Sequence, residues 1–208
     1  MPLQNRVTPA GDVVAVAARG TMYGNRGGCF HRPDRTLHDR RYANKQWICC
    51  VLEFKGRKRP LMRPGLFTEL FFLDEATAFA AGHRPCFECR RADAVRYAEI
   101  WAQTSGQVGR AAAPAMDERL HLERIDTRGA KLSFAAQLAD LPDGAMVRHQ
   151  SGAALLWGRR LYPWSFAGYG TPAVLAARTT AEVLTPRATV AILAAGYRPQ
   201  VHPSAGVS

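Results

Sequence analysis

The segment from Asp74 to Cys89 constrains the fold of this chain more than any other part of its sequence. Asp74 is a good N-cap for a short helix over residues 75–81, and Gly82 ends that helix in a left-handed conformation. Cys86-Phe-Glu-Cys89 follows and leads into a second helix, predicted to reach about residue 103. Two thiolates on such a turn can reach one tetrahedral ion, and the helix N-terminus favours the thiolate of Cys89. The spacing therefore predicts a metal site, with zinc as the metal.

Zinc needs two further ligands, and the candidates lie upstream of the turn. Cys29 and His31 lie in a predicted loop, where ligands are readily supplied, and we predict that they complete the site. Cys49 and Cys50 are neighbours in a predicted strand and point to opposite faces, so at most one of them can bind. Cys50 lies on the face predicted to be core, where inert cysteine is common, and both residues stay open as alternatives. A redox dithiol is less favoured, because the Cys-x-x-Cys pair follows a helix and not a strand.

The stretch from Phe71 to Cys89 resembles the end of the Ada-type metal-binding domain. In that family a strand, a short helix and an Ala-Gly-[Phe/His]-Arg-Pro-Cys-x-x-Cys segment supply two of four zinc thiolates, matched here by Ala81-Gly-His-Arg-Pro-Cys-Phe-Glu-Cys89. The resemblance implies that Cys86 and Cys89 bind zinc, that the protein binds DNA, and that it recognises or processes damage such as a methylphosphotriester. The family carries its other two cysteines as Cys-x-x-x-Cys, whereas Pro33 stands at that offset from Cys29. The sequence also resembles bacterial proteins that share a Gly-Asn-Arg-Gly-Gly loop, an Ile-Cys-Cys strand and this Cys-x-x-Cys, a likeness that assigns no activity.

Positive charge is concentrated ahead of the predicted metal turn. The 208 residues carry a net charge of +11, and residues 19–63, with twelve basic and three acidic residues, account for +9 of it. Arginine, which presents a planar fork of donors to phosphate oxygens, supplies nine of those twelve. We therefore predict a nucleic-acid partner, with DNA favoured. The predicted phosphate contacts are those of a basic loop and hairpin, and of one residue beside the metal: Arg26, Arg32, Arg35, Arg57, Lys58 and Arg84.

An enzymatic function is the alternative. Asp117 and His121 are four residues apart on a predicted helix and share a face, which is the minimum for a carboxylate-oriented general base, and Glu123 follows. These three residues are the catalytic candidates for an enzyme acting on nucleic acid or on a phosphorylated small molecule. The metal itself could also carry the chemistry. An ordinary surface helix is the favoured explanation of the same pattern.

The pattern along the chain predicts an α+β protein in two parts. Residues 1–105 form a zinc-stabilised hairpin-plus-helix module, and residues 106–208 a helix with a smaller β-rich unit. The predicted hairpin pairs residues 46–55 with residues 67–73, and its even-numbered positions, including Cys50, form the core face. Residues 20–33 are predicted to be a loop, because Gly24, Gly27 and Gly28 permit tight turns.

The sequence also indicates where the protein acts. No apolar run is long enough for a spanning helix, and the apolar stretch near the start, residues 13–18, is too short for a secretory signal. Five cysteines, two of them adjacent, do not fit a disulfide framework. We therefore expect a cytoplasmic protein that does not insert into membranes.

Overall fold

The computed structural model describes residues 1–57, 60–150, 152–174 and 179–206. The described chain folds with two sheets and four α-helices, which confirms the α+β class of the prediction. The helices are α1 (Glu75–Ala80), α2 (Arg91–Thr104), α3 (Ala113–Arg124) and α4 (Arg187–Ala194).

The first sheet has six strands and contains both parallel and antiparallel pairs. Its strands are β1 (Gln4–Val7), β2 (Val13–Ala15), β3 (Met22–Arg26), β4 (Trp47–Val51), β5 (Leu70–Phe72) and β6 (Arg84–Pro85). They lie in the order β2-β1-β5-β3-β4-β6. Strand β3 pairs antiparallel with both β4 and β5, whereas β6 pairs parallel with β4.

The second sheet is built from antiparallel pairs. Its strands are β7 (Phe134–Gln137), β8 (Met146–His149), β9 (Gly152–Trp157), β10 (Arg160–Ser165), β11 (Gly168–Tyr169), β12 (Ala173–Val174) and β13 (Thr180–Val183). The order is β11-β10-β9-β8-β13-β7, and β12 pairs with β10. Strands β8 and β9 pair antiparallel, with Met146 opposite Leu155.

Helix α1 is buried along its whole length and packs against both sheets. Ala78 belongs to a hydrophobic cluster with the first sheet, and Ala76 and Ala80 belong to one that includes Met146 and Leu155 of the second. Its N-cap is Asp74, as predicted, whose carboxylate accepts the amide of Thr77 at 2.8 Å. Because α1 leads directly to β6 and the Cys-x-x-Cys turn, its packing fixes the position of that turn.

Two strand predictions for the N-terminal part are wrong. The predicted loop over residues 20–33 contains β3, where Met22, Gly24 and Arg26 are buried in alternation. Since β3 lies between β4 and β5, the predicted hairpin of residues 46–55 with residues 67–73 does not form.

The predicted core face of β4 is also wrong. The buried core side carries Trp47 and Cys49, which are 2% and 0% exposed. The even-numbered side, with Ile48 and Cys50, lines a cavity.

Among the described residues, no helix has both the length and the apolar character that crossing a bilayer requires.

Candidate metal centre

Strands β4 and β6 bring the Cys-x-x-Cys turn beside Cys50. The two strands run parallel, with Cys49 opposite Pro85, and the amide of Cys86 donates to the carbonyl of Cys49 at 3.0 Å. Cys86 therefore extends the pairing of β6 with β4, and it lies next to Cys50 of β4. Successive side chains of a strand point to opposite faces, so Cys49 points away from this position.

The turn then carries Cys89 back toward the same point. The amide of Arg90 donates to the carbonyl of Cys86 at 3.0 Å, and the amide of Glu88 lies 3.4 Å from the Cys86 sulfur. As a result, the Sγ atoms of Cys50, Cys86 and Cys89 all lie within 4.8 Å of one another. Two sulfurs bound to one tetrahedral zinc lie about 3.8 Å apart, from a Zn–S distance of about 2.3 Å. The three thiols fit this arrangement with small side-chain movements.

The pKa values of the three thiols are shifted in different directions. Hydrogen bonds from the thiols of Cys50 and Cys89 lower the pKa of Cys86, and nearby backbone amides add to the effect. The hydrogen bond to Cys86 raises the pKa of Cys50. For Cys89, the hydrogen bond with Cys50 lowers the pKa, but the bond to Cys86 and burial outweigh it, so the pKa is raised. Three hydrogen-bonded cysteine sulfurs are a soft donor set suited to zinc.

The structure does not bring Cys29 and His31, the other two predicted ligands, into this cluster. Cys29 is exposed, and its sulfur lies 3.7 Å from Nδ1 of His31. His31 is buried, with Nδ1 2.7 Å from the Thr68 hydroxyl and Nε2 3.2 Å from the carbonyl of Arg63. Both ring nitrogens of His31 thus have protein partners. Cys50, one of the alternatives left open by the sequence, takes the place that was predicted for these residues.

Cys49, the other alternative, belongs to the hydrophobic core. It is 0% exposed, and Nη1 of Arg90 lies 3.7 Å from its sulfur. Burial raises the pKa of this thiol. Cys49 is therefore placed as a neutral core residue.

Two of the predicted phosphate contacts are buried inside the protein. Arg26 is 2% exposed, packs on Trp47 and donates to the carbonyl of Gly11 at 2.8 Å. Arg84 is 3% exposed and holds both oxygens of Asp117, each at 2.8 Å. We assign structural roles to both arginines, because neither guanidinium is presented to a phosphate.

The other predicted phosphate contacts that belong to the described residues lie at the surface. Arg32, Arg35 and Arg57 are exposed. Arg57 forms an ion pair with Glu88, at 2.7 Å, close to the Cys-x-x-Cys turn. Lys58 lies outside the described residues.

The predicted catalytic residues serve separate structural contacts. Asp117 is buried against Arg84, and Nδ1 of His121 lies 3.1 Å from Nη2 of Arg124. Glu123 accepts the amide of Ala188, at the start of α4, at 2.8 Å. The three side chains therefore have different partners, and this arrangement does not support the carboxylate-oriented base.

A cavity of about 500 Å³ opens beside the three cysteines. Tyr23, Ile48 and Phe71 line it from β3, β4 and β5, and Glu69 and Phe54 come from the flanking segments. None of these five residues is predicted from the sequence as part of a site. In the sequence, the alternation of Met22 and Gly24 with Tyr23 and Asn25 was the signal for strand β3. The glycines of this segment favoured the prediction of a loop.

Comparison with protein-family models, with curated proteins and with solved structures gives no match. The resemblance to the Ada-type domain therefore stays a prediction, and function has to be inferred from the geometry of the site.

Proposed function

We propose that this protein binds zinc through Cys50, Cys86 and Cys89 and binds nucleic acid, DNA in the first place. The observation that carries the proposal is the convergence of three sulfur atoms within 4.8 Å at one end of a solvent-connected cavity. The resemblance of residues 71–89 to the Ada-type domain favours damage recognition or processing as the setting.

The chemistry of the donor set supports zinc. Soft thiolates select zinc or copper(I) over magnesium, calcium and manganese. Three thiolates would give a zinc centre a net charge of −1 and leave a fourth position for water or for a bound molecule. A site with three protein ligands is typical of zinc centres that act on a ligand, whereas purely structural centres have four.

The exposed arginines support a phosphate-rich partner. Arg32 and Arg35 lie on the long connection between β3 and β4, and Arg57 follows β4. All three belong to the segment that carries +9 of the net charge. Arginine side chains that remain at the surface can release counterions from a nucleic acid.

The metal part is tested with two adjacent cysteines that point in opposite directions. We expect about one zinc per chain in the wild type and in Cys49→Ser, measured by elemental analysis after dialysis, and none in Cys50→Ser. Cys49→Ser is the matched control, because it alters the same strand without touching the cluster. Equal zinc content in Cys49→Ser and Cys50→Ser would contradict the assignment.

The nucleic-acid part is tested by salt dependence. Fluorescence anisotropy with labelled single- and double-stranded DNA should give affinities that fall steeply as salt rises. Replacing Arg32, Arg35 and Arg57 with Gln should reduce the slope of log affinity against log salt by about one for each phosphate that is no longer neutralised.

The control replaces three exposed arginines of the helices and the following turn, Arg96, Arg119 and Arg128, with Gln. It removes the same charge and should leave most of the slope. If both triple variants lose affinity equally, binding depends on net charge alone and not on the proposed face.

A metal-dependent enzyme is the second candidate, favoured by the cavity beside the three cysteines. Such an enzyme would act on nucleic acid or on a phosphorylated small molecule. Turnover should then disappear in Cys86→Ser and persist in His121→Ala, since His121 lies outside the thiol cluster. The opposite result would favour the base predicted from Asp117 and His121.

A further inference from the structure

The cavity beside the cysteines has a floor formed by one face of the first sheet. Tyr23 and Asn25 of β3 alternate with the buried core side chains of that strand, and Ile48 and Cys50 do the same on β4. These four side chains are next to one another across the sheet, because Tyr23 pairs with Cys50 and Asn25 with Ile48. At about 500 Å³ the cavity lies within the range of sites for small organic molecules.

Aromatic and aliphatic side chains line the cavity together with polar and charged ones. Tyr23, Phe54 and Phe67 are half-buried aromatic side chains that line it, and Leu52 adds an aliphatic wall. The guanidinium of Arg57 lies over the Phe54 ring, 5.4 Å from its centroid. Aromatic and guanidinium planes of this kind stack on flat heterocycles without regard to sequence.

The carboxyl group of Glu69 gives the cavity a polar group with a defined direction. Glu69 is 3% exposed, and its Oε2 accepts the amide of Met62 at 2.6 Å. In the part of the chain that the structure describes, no hydrogen bond reaches Oε1. A carboxylate oxygen that lines the cavity favours a ligand that donates a hydrogen bond.

We propose that this cavity binds a single nucleobase that carries an exocyclic amino group, with the amino group donating to Glu69 and the ring against the aromatic walls. The inference rests on the proposed function, since the base would come from the bound nucleic acid. It deepens that function by naming the part of the nucleic acid that reaches the three-cysteine centre.

The energetics of such binding are those of base flipping. Removing a base from a stack costs a few kcal/mol, least for a damaged, mismatched or single-stranded base. Stacking on side chains and a hydrogen bond to the base edge offset that cost. A cavity at the metal centre would therefore select unpaired or damaged positions, and the arginine-rich face would hold the backbone.

The test uses the full zinc-loaded chain and free nucleosides. Calorimetry or saturation-transfer NMR compares cytidine with uridine, which lacks the amino group, and with ribose 5-phosphate, which lacks the base. We expect cytidine to bind at least about fivefold more tightly than uridine, and ribose 5-phosphate not to bind. Glu69→Gln keeps the shape of the side chain and should reduce the preference to less than about twofold.

A cavity-filling variant separates the cavity from the rest of the surface. Leu52→Trp should weaken cytidine binding at least about tenfold while zinc content and thermal unfolding stay unchanged. Leu122→Trp makes the same change at a leucine of α3 that is 70% exposed and should bind cytidine like the wild type.

The outcomes separate this inference from the proposed function. If oligonucleotides bind but no nucleoside does, or if Leu52→Trp binds cytidine normally, the cavity proposal is overturned and the zinc and backbone binding stand. Equal binding of cytidine and uridine overturns the role of Glu69. If cytidine binds and Leu52→Trp abolishes it in a chain that does not retain oligonucleotides, the cavity is supported and the proposed nucleic-acid function fails.

Discussion

Trp47 shows how this protein surrounds buried positive charge with aromatic rings and backbone carbonyls. The guanidinium groups of Arg26 and Arg124 lie 4.0 and 3.8 Å from the centre of its rings, and the ring of His83 packs at 5.2 Å. Burial lowers the pKa of each of these two arginines to about 9. Their partners include the carbonyls of Gly11 and Gly82, so backbone oxygens take the place of carboxylates.

His83 should make the stability of the protein depend on pH. Its Nδ1 donates to the carbonyl of Ala78 at 3.2 Å and its Nε2 accepts from Nε of Arg26 at 3.4 Å, which is the pattern of a neutral ring. Burial, with Arg26 and Arg124 nearby, holds the pKa of His83 well below its usual value. Since the unfolded chain binds this proton below about pH 6.5, stability is lost as pH falls through that value toward the folded pKa.

We predict that His83→Gln removes this dependence, because Gln can replace both hydrogen bonds and does not titrate. Urea unfolding between about pH 6.5 and pH 4.5 should show a slope lower than that of the wild type by up to about 1.4 kcal/mol per pH unit. His38→Gln changes an exposed histidine and serves as the control. Identical slopes for His83→Gln and the wild type would show that His83 is protonated in the folded state.

At the scale of elements, local signals in the sequence predicted the helices on either side of the Cys-x-x-Cys turn but did not predict the strand order of the first sheet. The cap at Asp74 and the stop at Gly82 placed α1 within one residue, since both act through neighbouring backbone groups. Both faces of β4 are apolar, and alternation alone does not distinguish a face against the core from a face against a cavity. The same ambiguity left Cys50 as an alternative, because its partnership with Cys86 depends on the parallel pairing of β4 with β6. The pairing of distant strands is not encoded in local composition.

Gly24 is a position where the packing of the first sheet leaves no room for one added carbon atom. It lies in the middle of β3, and a Cβ there would meet the carbonyl oxygen of Ile48 at 2.1 Å. That oxygen belongs to the neighbouring strand, so the strands would have to separate beside Cys49, which pairs with Gly24. We predict that Gly24→Ala lowers the free energy of unfolding by about 3 kcal/mol, the upper end of the overpacking range.

Chemical denaturation with a matched control tests this prediction. Gly152, in β9, has no atom within 4 Å of an added Cβ, so Gly152→Ala should change stability little. Zinc content should fall in Gly24→Ala, because separation of β3 from β4 shifts Cys50. A Gly24→Ala protein with the stability and zinc content of the wild type would contradict the described pairing of these strands.

At the scale of the whole molecule, the distribution of charge is only partly a surface property. The segment of residues 19–63 contributes +9 of the +11, but Arg26 from that segment is buried. The charge available to a partner is therefore smaller than the sequence indicates. The exposed arginines proposed to contact phosphate lie between β3 and β4 and after β4.

The N-terminal and C-terminal parts are also tied together by two buried carboxylates at the start of α1. Asp74 accepts the hydroxyl of Tyr169 at 2.7 Å, and Glu75 accepts the hydroxyl of Tyr197 at 2.9 Å. Glu75 further pairs with Arg90, at 2.7 Å, one residue after Cys89. The carboxylates that position the Cys-x-x-Cys turn thus depend on side chains from the C-terminal part.

This coupling predicts that residues 1–105, the module expected from the sequence, do not fold alone. Without the C-terminal part, the side of α1 that packs near Met146 and Leu155 is exposed, and Asp74 and Glu75 lose their tyrosine partners. The lost apolar burial and the two lost hydrogen bonds together amount to several kcal/mol, which is comparable to the whole stability of a domain of this size. Circular dichroism of the fragment in zinc should show no cooperative unfolding, and its proton NMR spectrum should have poor dispersion. The full chain should unfold cooperatively and give a well-dispersed spectrum. A fragment of residues 1–105 that binds one zinc and unfolds cooperatively would show that α1 needs only the first sheet, and that the C-terminal part is an addition to an independent metal-binding module.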